Sequence, residues 1–493
     1  MRWAGLPMFA VLLSCEALPR GAALGPDAER EGQEAVELLR ELIRFDTINP
    51  PQPDSGKANA NETALLKHVK SVLWDDGIPS EIYESAPGRG NLVARLKGSG
   101  AKRPILLMAH VDVVNVDRNQ WEVNPLSGEL RDGFIWGRGA LDDKDDAALF
   151  VQLLRVLKRS GRRLSRDLIL MLNADEESSG RYGARWMAEQ HWDQIDCEYV
   201  LSEGGSAILG DGGVAQYGFQ TAEKVYSDFR LFIPGESGHS SVPLQRNAIY
   251  EAGRLLGKLE TYQAPIRLIE TTRASLEGLA AAPRGAVWGQ EYLKKAAEGD
   301  IEAATHLAQN PRYNAQLRST FVPTMVKGGI RENVLPPDLE INFNARLLPG
   351  DKIDDLIRSL MAHAGITRYQ LVEGGEEEVA RWKRERKGQD IGVFLVDRGV
   401  DAPASSLDTD MYRALVLSAR RISPAALVIP RMSTGATDLR FFRLKGVPCY
   451  GISPCPVGEL EESTPHHHNE RVRAESVKMG LRFLRELAAE IGR

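Results

Sequence analysis

The sequence predicts an α/β protein into which a smaller ferredoxin-like domain is inserted, and two observations lead to this prediction. Short apolar runs alternate with helical patterns up to residue 221 and again after residue 375, which is typical of a largely parallel sheet with helices on its faces. Between them, residues 222–375 follow the order strand, helix, two strands, helix, strand of a ferredoxin-like sandwich. The main domain is therefore expected at 27–221 and 376–493, with the inserted domain at 222–375.

The composition indicates a soluble, enzyme-sized protein. The chain has 493 residues, of which 43% are hydrophobic and 26% charged, and at roughly 150 residues per domain this length suggests two or three domain-sized units. The net charge of −6 argues against a nucleic-acid partner, which normally requires a basic face. Four cysteines are too few for a disulfide scaffold. Three of them, Cys197, Cys449 and Cys455, allow at most one bridge, for which Cys449–Cys455 is a candidate that the sequence does not decide.

Residues 1–23 predict a signal peptide. Arg2 gives a basic start, residues 4–14 are apolar but too few to span a bilayer as a mature helix, and small residues at 21–23 offer a cleavage site. We therefore expect an exported protein, periplasmic or secreted. A lipid anchor at Cys15 is the less favoured alternative, because the bulky Leu13 is unusual before a lipoprotein-type cysteine.

The elements of the first part of the main domain follow from hydrophobic periodicity. Apolar residues recur at helical spacing in 27–43, 61–76 and 145–159. Continuous apolar runs rich in Val, Ile and Leu predict buried strands at 91–96, 104–114, 167–174 and 198–202.

The inserted domain and the last part of the chain are assigned in the same way. The predicted strands of the insert are 225–234, 324–330, 339–347 and 369–373, and its helices are 247–259 and 352–364. A helical insertion at 282–318 interrupts it. The charged run 376–387 is interpreted as a solvated connection, after which strands at 426–429 and 449–453 and a helix at 473–491 complete the main domain.

A histidine and several acids stand at the ends of the predicted parallel strands. His110 and Asp112 end one strand, and since positions i and i+2 face the same side of an extended chain, the Asp112 side chain can fix the His110 tautomer. The glycine-rich turn 137–144 brings Asp142 and Asp143, and the acids 175–177 and Glu203 follow two further strands. Carboxyl ends of parallel strands meet at the functional edge of an open sheet.

Several carboxylates gathered beside a histidine would repel one another unless a cation holds them. Nitrogen and oxygen ligands of this kind suit zinc, with cobalt or manganese as substitutes. A single acidic strand end is usually a solvated loop, whereas several such ends in succession are difficult to explain as surface decoration. The sequence therefore predicts a metal site at this edge.

The chain resembles the M20 family of co-catalytic zinc metallopeptidases over nearly everything after the leader, and most of all the branch with Gly-X carboxypeptidases and secreted N-acyl-amino-acid hydrolases. The resemblance implies a zinc-binding three-layer α/β domain with an inserted ferredoxin-like lid that often dimerises. The matching strings are LLMAHVDVV, WEVNPLSGELRDGFIWGRGALDDK, NADEESSG, LSEGG, GHSSVP, GGIRENVLPP, RLLPGD, STGATDLRFF and HHHNERV.

The resemblance also implies roles for individual residues of the metal site. His110 and Glu203 resemble the ligands of one zinc ion, and Glu177 and His466 resemble those of the other. His466 is chosen over its two neighbouring histidines because the family's histidine lies three positions before an Asn-Glu pair, here Asn469-Glu470. Asp142 matches the bridging carboxylate, which in the family is joined by a cis peptide to the next residue, here Asp143. Glu176 matches the general base, and Asp112 matches the residue that orients His110.

Charge counting supports two metal ions on this interpretation. Two zinc ions bring +4, the three ligand carboxylates −3 and a bridging hydroxide −1, so the centre is neutral. Zinc lowers the pKa of bound water to about 7, which provides a nucleophile at neutral pH. Glu176 then accepts the proton and passes it to the leaving amine.

Further matches lie in the predicted lid and near the C-terminus. His239, in Gly-His-Ser-Ser, resembles the residue that enters the neighbouring subunit's site and stabilises the oxyanion. Asn333 and Arg346 match substrate-binding positions, with Arg346 at the substrate carboxylate; a local pair between Arg346 and Asp351 is the alternative. A glycine-bearing loop near the site contributes Gly435, Thr437 and Asp438.

Two positions depart from the family pattern. Asp145-Asp146 stand where small residues are usual, and Gly435-Ala436 replaces a more common Gly-Gly. The added charge of the acid pair is expected to affect substrate preference more than catalysis.

The leading hypothesis is an exported di-zinc metallohydrolase that cleaves the amide bond of peptides or N-acyl amino acids, as a carboxypeptidase or dipeptidase. An aminoacylase-type amidohydrolase is the alternative. A catalytically inactive binding protein on the same fold is less favoured, because every expected ligand and the base are present.

Overall fold

The computed structural model describes residues 26–49, 61–385 and 390–492. The predicted signal peptide 1–23 and Cys15 lie outside these ranges. In the described part of the chain, no helix is long and apolar enough to cross a membrane. The chain forms two compact units: the first contains the described residues of Met1–Phe219, Asp408–Val428 and Tyr450–Arg493, and the second contains those of Gln220–Leu407 and Ile429–Cys449.

The first unit is built on a mixed sheet whose central strands are parallel. Ile105–His110 lies between Leu168–Asn173 and Tyr199–Ser202 and runs parallel to both. From edge to edge, the strand order is Ser80–Ala86, Arg89–Leu96, Leu168–Asn173, Ile105–His110, Tyr199–Ser202, Cys449–Gly451, Gly213–Glu223 and Leu427–Ser433, with Ser206–Gly210 paired to Gly213–Glu223. A small separate sheet joins Glu129–Arg131, Phe134–Trp136 and Arg471–Arg473.

Helices pack on this sheet because its central strands are apolar on both faces. All side chains of Ile105–His110 are buried, which is expected of a parallel strand covered on two sides. Ile105, Leu107 and Ala109 belong to a core cluster that includes the amphipathic helices. The helices of this unit are Pro26–Ile43, Glu62–Asp75, Lys144–Arg159, Ala184–Gln190, Trp192–Ile195, Asp410–Ile422, Glu459–Glu462 and Ala474–Ile491, with a short 3₁₀ turn at Arg118–Gln120.

The second unit contains a mostly antiparallel sheet, in which Ile391–Asp397 and Tyr369–Glu373 pair in parallel, with helices against it. Its strand order is Thr320–Gly328, Asp338–Leu347, Val225–Pro234, Ile391–Asp397 and Tyr369–Glu373, and a separate pair joins Gly238–His239 to Val334–Leu335. Burial alternates along Asp338–Leu347, so one face of that strand supplies the core. The helices Ala248–Leu259 and Ile353–His363 contribute to the same cluster of buried residues.

The helical insertion has its own small core and starts earlier than predicted. Its helices are Glu270–Ala280, Gln290–Ala297, Ile301–Leu307 and Pro311–Leu317. Leu276, Leu293, Leu307 and Leu317 are buried together there. A further helix of this unit, Leu439–Arg443, follows the glycine-bearing loop.

The segment after residue 375 differs from the sequence interpretation. It contains the helix Glu376–Glu385 and the strand Ile391–Asp397, and the latter inserts between two strands of the predicted ferredoxin-like sheet. The charged run is not simply a solvated connection, because Val379 and Trp382 pack with Phe232 and Phe394. The second unit consequently extends to Leu407 rather than to residue 375.

The α/β class with a second α+β unit agrees with the prediction. The candidate disulfide is not formed: Cys197, Cys449 and Cys455 are all buried, and the described residues contain no disulfide between them.

Candidate metal centre

The predicted ligands of the first unit stand at one edge of its sheet because its central strands are parallel and in register. His110 is the last residue of its strand and pairs with Asn173, so the acids at 175–177 leave the sheet beside it. Glu203 follows the end of the neighbouring strand Tyr199–Ser202. Residues that are distant in the chain, such as His110 and Glu203, thereby come together at the carboxyl ends of neighbouring strands.

One group of possible ligands is formed by His110, Asp142 and Glu203, whose donor atoms lie within 4.8 Å of one another. His110 Nε2 is 3.0 Å from Asp142 Oδ1 and 3.9 Å from Glu203 Oε1. The imidazole is almost completely buried, so its orientation is set by packing as well as by these groups.

The second group is formed by Asp142, Glu177 and His466, again within 4.8 Å. His466 Nε2 lies 3.0 Å from Asp142 Oδ2 and 3.1 Å from Glu177 Oε2. Asp142 therefore offers one carboxylate oxygen to each group, as a bridging ligand does. The peptide bond from Asp142 to Asp143 is cis.

The electrostatics of the two groups favour positive charge. Although burial opposes ionisation of the ring, hydrogen bonding of the ring to Asp112 and Asp142 raises the pKa of His110. Hydrogen bonding to Asp142 and Glu177 raises the pKa of His466 to about 10. The pKa of Asp142 shifts in the opposite direction. Burial disfavours its ionised form, yet hydrogen bonds from His110 and His466 lower its pKa. Charges of this sign and geometry suit cations held between the side chains.

The donor set fits divalent metal ions. Each group offers one imidazole nitrogen and carboxylate oxygens from two acids, with Asp142 shared. Such N/O sites are typical of zinc and are also used by cobalt and manganese. The cluster therefore provides two adjacent binding positions that share one carboxylate.

A third acidic group, Asp143, Asp145 and Asp146, lies at the start of the helix Lys144–Arg159. All three side chains are buried. Burial, followed by repulsion from neighbouring acids, raises the pKa of Asp146. The sequence suggested that Asp145-Asp146 would affect substrate preference; because both side chains are buried, neither offers a surface for direct contact with a substrate.

Asp112 has a broader role than the one predicted. The His110 Nδ1 atom is 3.0 Å from the backbone carbonyl oxygen of Asp112 and 3.6 Å from its carboxylate Oδ1, so the closer contact is to the backbone. The carboxylate instead accepts the backbone N–H groups of Glu176, at 3.1 Å, and Glu177, at 3.2 Å. Asp112 thus holds the loop of the predicted base as well as the histidine.

Two of the segments that carry these groups adopt left-handed backbone conformations that non-glycine residues rarely use. Asp175 has φ +70° and His466 has φ +60°. Such conformations persist only where surrounding contacts determine them. The side chain of Asp175 accepts hydrogen bonds from Ser179 Oγ and the Tyr182 N–H, each at 3.0 Å, and these contacts fix the loop that contains Glu176.

Comparison with known proteins now decides the family. The model of peptidase family M20/M25/M40 matches residues 106–490. The chain belongs to this family. As an M20 protein, it is a hydrolase acting on peptide or amide bonds.

Two sequence relatives and one solved structure show what the chain is similar to. The N-fatty-acyl-amino acid synthase/hydrolase PM20D1 of Xenopus tropicalis is 27% identical over 475 residues, which covers 93% of this chain and 86% of that protein. The probable carboxypeptidase S-like 2 of Dictyostelium discoideum is 28% identical over 408 residues, covering 80% and 73%. The crystal structure of the M20 metallo-carboxypeptidase Sso-CP2 from Sulfolobus solfataricus shares the fold, with a TM-score of 0.67, 17% identity and coverage of 93% and 99%.

Two buried residues that sequence reasoning did not assign connect the ligand segments of the M20 centre. The Glu470 carboxylate accepts the Gly139 N–H at 3.1 Å and the Leu141 N–H at 2.8 Å, and Arg138 Nη1 donates to it at 2.6 Å. This ties the turn before Asp142 to the loop after His466. In the sequence analysis Glu470 was used only to select His466 among three histidines. Its place in the matching string HHHNERV could have indicated a role of its own.

In the second unit, His239 and Asn333 are neighbours. Gly238–His239 pairs with Val334–Leu335, and the Ser240 N–H donates to the Asn333 carbonyl at 3.1 Å. The His239 ring is exposed, and its Nδ1 lies 2.7 Å from Ser241 Oγ.

Arg346 lies on the strand Asp338–Leu347, where its guanidinium stands 4.7 Å from the Tyr226 ring centroid and Nε donates to Asn344 Oδ1 at 3.1 Å. Within the described ranges it forms no salt bridge. The alternative pairing with Asp351 is not present, because Asp351 binds Arg267 at 2.7 Å.

The loop with Gly435, Thr437 and Asp438 is fixed by a buried glutamate. The Glu223 Oε2 atom accepts the Thr437 N–H at 3.0 Å and its hydroxyl at 2.7 Å. Gly435 N–H donates to Ser433 Oγ at 3.1 Å. Asp438 is buried at the start of the helix Leu439–Arg443, and the hydrogen bonds from Thr437 to Glu223 hold this loop within the second unit.

Proposed function

We propose that the protein is an exported, two-metal M20 hydrolase that cleaves the amide bond between an acyl group and an amino acid with a free carboxylate. The observation that carries this proposal is the position of Asp142, which presents one oxygen to His110 Nε2 and the other to His466 Nε2, each at 3.0 Å. Glu203 completes one position and Glu177 the other.

Zinc is the proposed resident metal, and two such ions would supply polarisation of the scissile carbonyl and an acidified water. Glu176 is the proposed general base, since it lies beside the ligand Glu177 on a loop whose backbone is held by Asp112. Its carboxylate would take a proton from the attacking water and give it to the leaving nitrogen of the amino acid. Proton transfer of this kind contributes roughly 10²- to 10⁴-fold to the rate.

An N-acyl amino acid is the first substrate candidate. It is favoured by the relative named as an N-fatty-acyl-amino acid synthase/hydrolase, which aligns with 93% of this chain. A peptide cleaved at its C-terminal residue is the second candidate, favoured by the carboxypeptidase S-like relative. Both place a free carboxylate on the leaving amino acid.

Arg346 is the proposed partner of that carboxylate. A guanidinium can bind a carboxylate through two parallel hydrogen bonds. Its side chain forms no salt bridge within the described ranges and is oriented by Asn344 and Tyr226, which leaves its charge available. Asn333, Gly435, Thr437 and Asp438 are proposed to shape the substrate site.

Export and dimerisation complete the proposal. Export is supported by the apolar, small-residue pattern of residues 1–23. A dimer through the second unit is supported by its edge strand Thr320–Gly328, on which Val322, Met325 and Val326 are exposed. His239 would then donate to the oxyanion in the site of a second copy.

A substrate panel tests the proposal directly. The zinc-loaded protein is assayed with long-chain N-acyl amino acids, N-acetyl amino acids and dipeptides, each beside its carboxamide analogue. We expect hydrolysis of free-carboxylate substrates only, and we expect Arg346→Lys to reduce kcat/KM for them by about ten- to 150-fold, which corresponds to about 1.5–3 kcal/mol for a charged hydrogen bond. Equal rates on free and amidated substrates would exclude carboxylate recognition.

A further inference from the structure

A buried arginine in the first unit joins the two carboxylates that flank the loop of Glu176. Arg89 begins the strand Arg89–Leu96 and is 5% exposed. Its Nη2 donates to Asp175 Oδ1 at 2.5 Å, and its Nη1 donates to Asn49 Oδ1 at 2.8 Å. The guanidinium therefore spans two partners with two different nitrogens, which a single ammonium group does not reproduce.

The second arm of this contact leads to Asp112. The Asn49 amide Nδ2 donates to Asp112 Oδ2, the oxygen that also accepts the Glu177 N–H at 3.2 Å. The other oxygen of Asp112 accepts the Glu176 N–H at 3.1 Å. Asp175 at one end of the loop and Asp112 behind it are consequently both tied to Arg89, the first directly and the second through Asn49.

The positive charge of Arg89 compensates the buried carboxylates around it. Asp112 and Asp175 are buried carboxylates, of which Asp175 contacts Arg89 directly and Asp112 through Asn49. The Glu62 carboxyl group also lies 3.4 Å from Arg89 Nη1. Buried acids that face one another require compensation. Without the guanidinium, repulsion would push Asp175 and Asp112 apart, and the backbone of Glu176 and Glu177 is attached to both.

We propose that Arg89 is a positioning residue that acts through Asn49, Asp112 and Asp175 to hold the Glu176–Glu177 loop in its working geometry. The inference rests on the proposed function, because Glu176 is the proposed base and Glu177 a proposed metal ligand. Partners behind a metal site of this kind typically change activity or metal affinity by about 10- to 100-fold.

The test compares Arg89→Lys with a matched control on the same strand. Arg95 is a partly buried arginine of the same strand that pairs with Asp167 at 3.2 Å and donates to the Gln194 carbonyl, away from the Glu176–Glu177 loop. At saturating zinc, we expect Arg89→Lys to lower kcat about 10- to 100-fold with little change in KM, and Arg95→Met to stay near the wild type. Equal effects of the two variants would overturn the proposal.

Two further readouts separate positioning from simple loss of stability. Amide hydrogen exchange of the zinc-loaded protein is expected to rise in residues 174–182 for Arg89→Lys and not for Arg95→Met. In a double variant with Glu176→Gln, Arg89→Lys is expected to add little further loss, because both changes act on the same step. Losses that multiply, or unchanged exchange in the loop, would overturn the proposal.

Asn49→Ala provides a second approach if Arg89→Lys does not fold. It cuts only the arm to Asp112, so kcat is expected to fall in the same direction; wild-type kcat would overturn the route through Asn49. The single variant Glu176→Gln tests the proposed function by itself. If it keeps wild-type kcat, the base assignment fails, whereas the positioning of the loop by Arg89 is still judged by hydrogen exchange against Arg95→Met.

Discussion

The two units of the molecule each carry a histidine at a strand end, and the surroundings of the two histidines differ sharply. His110 is 2% exposed and meets Asp112 and Asp142 within hydrogen-bond distance. His239 ends a two-residue strand and is exposed, and the polar contacts of its Nδ1 are to Ser241.

This difference shows which of the two histidines has a fixed orientation within a single chain. His110 is oriented by a buried sheet and by groups that are themselves held, as a metal ligand requires. An exposed side chain with one local partner is not fixed in this way, so His239 would require a substrate or a second copy of the chain to gain a defined role. The predictions below test the two regions separately.

Removal of the metal is expected to give the largest effect, confined to the first region. Chelation should abolish hydrolysis, because it removes the ions proposed to polarise the carbonyl and acidify the water. It should also loosen the site, because Asp142, Glu177 and Glu203 then face one another without cations. About two zinc equivalents per chain should restore activity. Hydrogen exchange should rise at 105–112 and 173–177 and stay unchanged in Asp338–Leu347 of the second unit. A fully active chain without bound metal would disprove the metal assignment.

Glu176→Gln and His110→Ala should separate proton transfer from ligation inside the first region. Glu176→Gln is expected to retain both metal ions and to lose roughly 10²- to 10⁴-fold in kcat, since its proposed work is proton transfer. His110→Ala is expected to lose metal, which elemental analysis measures in the same samples. Near-normal turnover by Glu176→Gln would require another base.

The second region is tested by complementation. If the second unit dimerises, mixing His239→Ala with Glu176→Gln should restore activity, because a mixed dimer contains one site with both wild-type residues. Random exchange makes about half of the dimers mixed, with one complete site of two, so about a quarter of wild-type activity is expected. Exchange is followed with a size-tagged copy. Efficient exchange without recovery would show that His239 does not act in a partner's site.

Sequence patterns could bring three of the candidate ligands to one edge of the sheet, because each of the three lies at or just after the end of a strongly apolar strand. His110, Glu177 and Glu203 come after buried runs whose parallel pairing brings their ends together. The strand Ile391–Asp397 was missed because the charged helix before it, read alone, looks like solvated chain. Only the tertiary packing of Val379 and Trp382 shows that this helix covers a sheet.

The supporting charges could not be predicted in the same way. Arg89 and Glu470 are single charged residues in loops or at strand starts, where a charge is usually solvated. Their burial depends on partners that are distant in the chain, such as Asp175 for Arg89 and Arg138 for Glu470. Local periodicity contains no information about such pairs.

The last prediction concerns Glu62, behind the Arg89 contacts, and is about stability rather than turnover. The side chain is fully buried, and burial raises its pKa to about 8 from an ordinary value of 4.5. A carboxyl group that keeps its proton in the folded state stabilises the protein fully below about pH 4.5. This contribution falls by about 1.4 kcal/mol per pH unit and is lost as the pH rises through about 8.

Glu62→Gln keeps the shape and removes the titration, so its melting temperature relative to wild type should rise steadily from about pH 5 to about pH 8. Glu81→Gln is the control, because Glu81 is exposed on the strand Ser80–Ala86 and forms a salt bridge with Lys70 at 3.4 Å. Its melting temperature should differ from wild type by a small amount that does not change with pH. If both variants follow the wild-type pH dependence, Glu62 is ionised in the folded protein, and Arg89 then compensates three buried carboxylates rather than two.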